Sequence, residues 1–347
     1  MKDNIVCNVP ADCAVVRVAL WDNIKFLMII FMVVGHFADV FTARSAAFKS
    51  IFLFIYAFHM PSFIFMSGLF YSRKDEKRKI VYYVSCGFAL KIFMTVIRLV
   101  LNKSAGFALL SDGSIPWYMF ALAAYQSLMW LCRNINKKYL LVFSVILACF
   151  IGYDRSIGDY LYLSRIVVFF PIFLLGTMIH QQTITGFKSK YYRFLLPLAI
   201  VILALWFCLC FFKLDDLYIY RHLFTGRNPF SQAVIEYGPL ARLLCYFITF
   251  LTGLSFIIIL PTRSIPAVTL FGRRSLSVYF WHWPVYQLLQ ACFGINRLFE
   301  MSVWGKAAFL LAAVLLSYVL MAVRPFEYPL KLIKKLCFES TKDKEQQ

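Results

Sequence analysis

The sequence predicts an all-α integral membrane protein, a polytopic bundle of about ten transmembrane helices with both termini in the cytoplasm. Three observations lead to this prediction. Of 347 residues, 61% are hydrophobic and only 15% are charged, and the mean hydropathy is +0.72, whereas soluble chains are nearer half apolar and a quarter charged. Long apolar runs recur along the chain, and basic residues are distributed unevenly between them. No internal repeat or soluble domain is evident, so residues 1–347 are expected to form one membrane domain.

The apolar runs define the individual spans, since a helix needs roughly 20 apolar residues to cross a bilayer. The predicted spans are 24–42, 50–70, 80–101, 117–132, 139–152, 162–180, 194–212, 241–260, 268–293 and 303–323. The fifth is short, and the ninth carries Arg273 and Arg274 near its start. These two features make the fifth and ninth spans the weakest of the set.

The distribution of basic residues predicts the orientation. With the amino terminus inside, the inner segments hold 22 Lys and Arg residues and the outer segments 11, which is the asymmetry of cytoplasmic loops. The net charge of +19 is thus mainly a topology signal, and no nucleic-acid partner is needed to explain it. The basic segment 327–347 is predicted to be a cytoplasmic tail, either disordered or lying on the anionic membrane surface. The polar outer loop 213–240 is expected to be a solvated cap or to touch a substrate.

The first span carries four ionisable residues, Asp22, Lys25, His36 and Asp39. At 100° per residue they fall on one arc about 100° wide, and Lys25 lies three turns, about 16 Å, from His36 on the same face. Asp22 with Lys25, and His36 with Asp39, have the i,i+3 spacing of side-chain pairs. Ionisable groups at membrane depth are costly and usually functional. His36 is therefore a candidate catalytic residue, with Asp39 as its orienting carboxylate and Gly35 opening space beside the helix.

Two further histidines and one basic cluster could belong to a functional site, and each could instead have a purely structural role. His59 could contribute to a site, or it could bond the backbone carbonyl that Pro61 frees. His282 also precedes a proline, and packing and a site role are both open. The basic cluster 73–79 could simply fix topology, or it could bind the phosphates of a cytoplasmic cofactor beside Lys25.

Several motifs occur together in an order that resembles the membrane acyltransferase type 3 family, which includes O-antigen and capsule O-acetylases and fucose 4-O-acetylase-like proteins. Asp22-Asn-Ile-Lys25, ten residues and His36 resemble its first-span signature, and FHMPSFIFMSGLF resembles its second-span motif. Further matches are IPWYMFAL at 115–122, SRIVVFFPIFLLG at 164–176 and FGRRSLSVYFWHWPVY at 271–286. Each motif is weak by itself, but the ordered set covers about residues 20–325.

The resemblance implies an enzyme that moves an acyl group, usually acetyl, from cytoplasmic acetyl-CoA or another acyl-CoA to a carbohydrate hydroxyl, without a metal. His36 would be the catalytic base with Asp39. Lys25 would bind the donor together with Arg73, Lys77 or Arg78, and which of these three cations serves is left open. Candidates for binding the acceptor are His59, Trp117, Arg165 and His282. The expected location is the cytoplasmic (inner) membrane, which the chain crosses several times, with a polysaccharide, lipopolysaccharide or lipid-linked sugar as acceptor.

Two other functions fit the same residues. A polytopic secondary transporter of a glycan precursor or small metabolite could use His36 and Asp39 as a proton relay, although the absence of an inverted repeat speaks against it. A non-catalytic scaffold could use the charges only to hold helices together. The sequence leaves open whether the chain forms a homo-oligomer.

Overall fold

The computed structural model describes residues 17–101, 109 and 115–339, and these residues are largely helical. No β-strand occurs in these ranges, and 80% of the described residues are helical. The α-helices in chain order are α1 Ala19–Asp39, α2 Ala46–Tyr56, α3 His59–Leu69, α4 Glu76–Val100, α5 Trp117–Leu131, α6 Lys137–Phe150, α7 Leu163–Met178, α8 Gln181–Phe212, α9 Leu214–Tyr218, α10 Arg221–Phe224, α11 Gly238–Ile259, α12 Pro266–Gly272, α13 Ser275–Phe293, α14 Arg297–Met301, α15 Val303–Ala322 and α16 Tyr328–Phe338.

The helices confirm the prediction of a polytopic helical membrane bundle. Within the described ranges, six helical stretches are long and apolar enough to span a bilayer: Ala19–Asp39, Ala46–Leu69, Glu76–Val100, Gln181–Phe212, Ile235–Ile259 and Val303–Ala322. The remaining predicted spans also contain helices, of which α5 and α6 are only 15 and 14 residues long. Helices this short cross a bilayer only where neighbouring helices or local thinning accommodate them.

The second predicted span is two helices, because α2 ends and α3 begins around Ala57 and Phe58. Pro61 has no backbone N–H and therefore cannot bond the carbonyl of Ala57 four residues earlier. The Thr249 hydroxyl of α11 donates to that carbonyl at 2.7 Å. A broken helix is tolerated at membrane depth when a neighbour satisfies the freed carbonyl in this way.

The ninth predicted span is also two helices, α12 and α13, with Arg273 and Arg274 between them. Arg273 donates to Asp22 of α1 at 3.3 Å. Arg274 donates to the Met321 carbonyl at 2.8 Å and pairs with Glu327 at 2.7 Å. The two guanidinium groups thus reach separate polar partners at a helix break, which an uninterrupted apolar helix would not allow.

The segment after α15 is ordered over its described part. Residues 328–338 form α16, which packs against α4, and Glu327 bonds Arg274. Of the two expectations for segment 327–347, disorder does not hold for the described residues 327–338, because these contacts hold them to the bundle, and a position on the membrane surface stays a prediction. Residues 340–347 lie outside the described ranges, as do residues 1–16.

Helix α1 lies at the centre of the bundle and packs against α2, α3, α11, α12, α13 and α15. Its side chains Leu20, Met28 and Val33 are completely buried. Helix α12 approaches it closely at Gly272, where a Cβ atom would overlap the Asp22 carbonyl. The helix that carries the four predicted ionisable residues is thus surrounded by protein along most of its length.

Helices α3 and α7 also meet through glycines. A Cβ atom on Gly68 would overlap the carbonyl of Phe173, and one on Gly176 would overlap the carbonyl of Phe65. Small residues let membrane helices approach until their backbones touch, and the packing gained there stabilises the pair.

Gly68→Ala should lower the unfolding free energy by about 1–3 kcal/mol, because the added methyl forces α3 and α7 apart. The thermal midpoint of the detergent-solubilised protein measures the effect. Gly186→Ala on α8 is the matched control, since nothing lies within 4 Å of a Cβ at that position. Equal midpoints for the two variants would contradict the proposed close contact.

Candidate active site

A cavity of about 500 Å³ opens at the carboxyl-terminal end of α1. Five of the residues selected from the sequence line it: His36, Asp39, His59, Trp117 and Arg165. They come from α1, α3, α5 and α7. Its volume is in the range of small-molecule sites, so the cavity is the candidate active site.

His282 belongs to the same group. Its ring lies 5.2 Å from the ring of His36, with an angle of 24° between the two planes. His282 is completely buried, whereas His36 is partly exposed to the cavity. All six residues that the sequence analysis assigned to chemistry or to the acceptor are therefore neighbours in space.

The residue that orients His36 is Tyr56 of α2. The Tyr56 hydroxyl lies 3.1 Å from His36 Nδ1, within hydrogen-bond distance. Helix α2 comes this close because Gly35 has no side chain: a Cβ there would lie 3.2 Å from the Tyr56 ring. The space expected beside Gly35 thus exists, and the Tyr56 ring occupies it.

The predicted pairing of His36 with Asp39 is not formed among the described residues. Asp39 is the last residue of α1 and is exposed, so its carboxylate can reach water at the cavity mouth. The i,i+3 spacing permits a pair, but the Tyr56 hydroxyl and not the Asp39 carboxylate lies within hydrogen-bond distance of His36. Tyr56 was not identified from the sequence, where it stands unmarked in an apolar run.

His59 and His282 each form hydrogen bonds to backbone carbonyls through Nδ1. His59 Nδ1 lies 2.9 Å from the Ile55 carbonyl, and His282 Nδ1 lies 3.0 and 2.9 Å from the carbonyls of Val278 and Tyr279. Since a carbonyl oxygen only accepts, Nδ1 of each ring carries the proton, and Nε2 of the neutral ring is left as an acceptor. Neither Nε2 has a hydrogen-bond partner within the described part of the chain.

The sequence analysis offered two roles for His59, a place in a site or a bond to a backbone carbonyl, and its contacts are compatible with both. The ring does bond a backbone carbonyl, although it is that of Ile55 rather than the one freed by Pro61, which Thr249 occupies. Its Nε2 remains available beside the cavity. A hydroxyl-bearing molecule in the cavity could donate a hydrogen bond to it.

Arg165 and Trp117 form the opposite wall. The Arg165 guanidinium carbon lies 5.1 Å from the centre of the Trp117 ring, and its Nη2 lies 4.0 Å from the Asp159 carboxylate. Arg165 is only 6% exposed. A buried guanidinium held by an aromatic face and a carboxylate has a fixed position, which suits it to orient a polar ligand.

The loop after α8 forms the rim of the cavity and contributes Tyr218, Arg221, His222 and Arg227. It is held in place by buried Arg242, whose Nη1 donates to the Leu223 carbonyl at 2.9 Å. Burial, and then the charges of Arg221 and Arg227, lower the pKa of His222. Segment 213–240 thus contributes polar side chains to the cavity, and its contact with a substrate stays a prediction.

The opposite, amino-terminal end of α1 carries a separate charged cluster around Asp22. This carboxylate is 2% exposed and pairs with Arg17 at 2.7 Å, Arg273 at 3.3 Å and Lys25 at 3.7 Å. The predicted Asp22–Lys25 contact is present, while Arg17 and Arg273 were not expected there. The adjacent arginines in the motif at 271–286 were the only feature of the sequence that could have pointed to Arg273.

The four predicted donor-binding cations do not line the cavity. Lys25 Nζ lies 5.3 Å from the centre of the Phe70 ring, three residues before Arg73. Arg73 and Lys77 are exposed, and Arg78 pairs with Asp75 at 3.6 Å. Met28 and Ile29 are buried on α1 between Lys25 and His36. Lys25 and His36 thus lie toward opposite ends of α1, with packed side chains between them.

A second cavity, of about 350 Å³, lies between α1, α3, α6, α7, α8 and α11 and is lined almost entirely by apolar side chains. None of the predicted site residues lines it. Within the described residues, no group of three or more His, Cys, Asp or Glu side chains could hold a metal ion. The polar chemistry is concentrated in the first cavity.

The fold is thus a polytopic membrane bundle with a polar cavity lined by histidines and arginines, side chains that can serve acid–base chemistry or bind a polar substrate. A family model described as an acyltransferase domain, that of the acyltransferase 3 family, matches residues 18–322. The chain belongs to this family and is therefore a membrane acyltransferase. No curated protein and no solved structure gives a significant match.

Asp22→Asn should lower the unfolding free energy by about 3 kcal/mol, because it leaves three cations without their shared buried carboxylate. Chemical denaturation of the purified protein in detergent measures this. Glu300→Gln is the matched control: its pair with Arg44 is exposed on both sides, at 56% and 57%, and such pairs contribute about 0–1 kcal/mol. A loss at Asp22 no greater than at Glu300 would contradict a structural role for the cluster.

Proposed function

We propose that the protein is an O-acetyltransferase of the inner membrane that moves an acetyl group from cytoplasmic acetyl-CoA to a hydroxyl of a cell-surface or exported carbohydrate. The observation that carries this proposal is His36 at a 500 Å³ cavity, with its Nδ1 held by the Tyr56 hydroxyl. Membership of an acyltransferase family supplies the reaction class. The donor, the acceptor and the catalytic residue are the proposed parts.

His36 acts as the general base. In the tautomer whose Nδ1–H donates to the Tyr56 oxygen, Nε2 is unprotonated and can remove the proton of the acceptor hydroxyl. The hydroxyl oxygen then forms the ester bond to the acetyl carbon as the carbon–sulfur bond breaks. The departing thiolate takes the proton from the His36 imidazolium, so the base is restored at the end of the cycle.

The other cavity residues position the acceptor. His59 Nε2 accepts a hydrogen bond from a second sugar hydroxyl, and the face of Trp117 packs against the ring. His282 supports His36 by stacking at 5.2 Å. Several fixed polar groups of this kind let a site hold one hydroxyl close to the base, and this positioning contributes much of the rate gain in enzymes.

The donor binds from the amino-terminal end of α1. Lys25, Arg17 and Arg273 place three cations around one carboxylate there, and Arg73, Lys77 and Arg78 follow in the adjoining segment. An excess of cations suits the phosphates of CoA. The pantetheine arm would cover the distance of about 16 Å between Lys25 and His36, and Met28 and Ile29 must move aside for it to pass.

His36→Ala should lower the transfer rate by about 10²–10⁴-fold, because the general base is lost. The measurement is transfer of radiolabelled acetyl from acetyl-CoA to envelope glycan by purified protein. His180→Ala is the control, since His180 is exposed between α7 and α8 and does not line the cavity. Normal transfer by His36→Ala would exclude the proposed mechanism, and acetyl-CoA-independent uptake of a solute would favour the transporter alternative.

Tyr56→Phe in the same assay removes one hydrogen bond and leaves the ring in place. Since one such bond contributes about 0.5–1.5 kcal/mol, we expect kcat to fall by about tenfold or less, with KM for acetyl-CoA unchanged. Asp39→Asn should change kcat less than Tyr56→Phe, because Tyr56 and not Asp39 contacts His36. The reverse order would restore Asp39 as the orienting residue.

Lys25→Ala should raise KM for acetyl-CoA by about 10–100-fold, which corresponds to the loss of one hydrogen bond between charged groups. The fold should be retained, because Arg17 and Arg273 still pair with Asp22. Lys306→Ala is the control: Lys306 lies over the Phe299 ring and away from Asp22. An unchanged KM in Lys25→Ala would remove Lys25 from the donor site.

A further inference from the structure

Four arginines line the cavity that contains His36, and the reaction steps described above use none of them. They come from parts of the chain far apart in sequence, so the fold brings them together. They are Arg98 at the end of α4, Arg165 on α7, Arg221 on α10 and Arg227 in the loop before α11.

The acidic residues at this cavity are fewer than the arginines. Asp39 is the only carboxylate that lines it within the described ranges. Asp159 does not line the cavity, but its carboxylate oxygens lie 4.0 Å from Arg165 Nη2 and 3.7 Å from Arg227 Nη2. Among the described residues, four guanidinium groups therefore lie near two carboxylates, in a region where an excess of like charge is costly unless a ligand compensates it.

In the part of the chain that the structure describes, the arginines at this cavity that lack a nearby carboxylate are Arg98 and Arg221. Within the described residues, neither has a carboxylate within 4.0 Å. Arg221 is nonetheless held in place: its Nη1 donates to the Tyr218 carbonyl at 3.2 Å, and its guanidinium lies 4.8 Å from the centre of the Tyr218 ring. An oriented guanidinium without an acid partner is a typical recognition group for a carboxylate or phosphate.

We propose that the cavity contains an anion subsite, formed by Arg98 and Arg221, that binds a carboxylate or phosphate group of the acceptor glycan. This inference rests on the proposed function, because it assigns the chemical class of its acceptor: an acidic or phosphate-bearing carbohydrate. The anionic group sits among the arginines while a hydroxyl of the same glycan reaches His36. Neutral glycans lack the group that balances these charges and bind more weakly.

The test measures binding without any acyl donor, so that it does not depend on catalysis. The probe is fluorescently labelled envelope glycan from the cells that produce the protein, in native, carboxyl-reduced and dephosphorylated forms. The full chain is held in lipid nanodiscs, and Kd is measured for each form. We expect native glycan to bind about 10–100-fold more tightly than one treated form, and the form that loses affinity identifies the anion as carboxylate or phosphate.

Variants of Arg98 and Arg221 test whether these residues cause the tighter binding of native glycan. Arg221→Gln and Arg98→Gln should reduce the affinity for native glycan toward that of the neutralised form and leave the affinity for the neutralised form unchanged. Arg221→Lys keeps the charge and should retain most of the preference. Arg44→Gln is the matched control, because Arg44 is exposed, pairs with Glu300 and does not line the cavity. Thermal midpoints of all variants show whether each remains folded.

The outcomes separate this proposal from the function on which it rests. Equal Kd values for the native and both treated glycans, no binding of native glycan, or an unchanged preference in both Gln variants would overturn the anion subsite. Acetyl transfer that proceeds equally well to native and neutralised glycan would keep the O-acetyltransferase and reject the subsite. Arginine-dependent binding of native glycan with no acetyl transfer would keep the subsite and reject the O-acetyltransferase.

Discussion

The cost of placing ionisable side chains at membrane depth governs this structure. Each such group must find a partner inside the protein, because lipid offers none. Asp22 is surrounded by Arg17, Lys25 and Arg273, and His36 meets the Tyr56 hydroxyl. These partners come from α2, from the segment before α1 and from the break between α12 and α13. The polar groups of α1 thus determine which elements must pack around it.

The breaks in the helices follow from the same constraint. At Ala57 the backbone is interrupted, and Thr249 satisfies the freed carbonyl. His59 begins the next helix at this point, so its ring faces the cavity rather than lipid. Between α12 and α13 the break sets two arginines at the ends of short helices. Irregular backbone lies where side chains are needed for chemistry, and glycine contacts such as Gly68 with α7 keep the surrounding helices close.

The two ends of α1 have different chemical character. One end has a buried carboxylate with three cations, and the other has a cavity with histidines, aromatic rings and arginines. Completely packed side chains such as Met28 separate them. This separation suits a reaction that joins a donor and an acceptor from opposite sides of a membrane, since the barrier between the two sides stays closed except where the acyl group passes. In the proposed reaction, the arginines at the cavity and the cations around Asp22 would both favour anionic substrates.

The sequence by itself determined the helical membrane class, the family motifs and which residues deserve attention, because hydropathy and helical periodicity are local properties. It named His36, His59, Trp117 and Arg165 as candidate site residues, and the structure places these four at one cavity. Only the tertiary structure decided which side chains contact these residues. Tyr56 replaced Asp39 beside His36, Arg273 joined Asp22, and arginines from four separate segments met at one cavity. Such contacts depend on how helices distant in sequence pack against each other, and the pattern within a single helix carries no record of that packing.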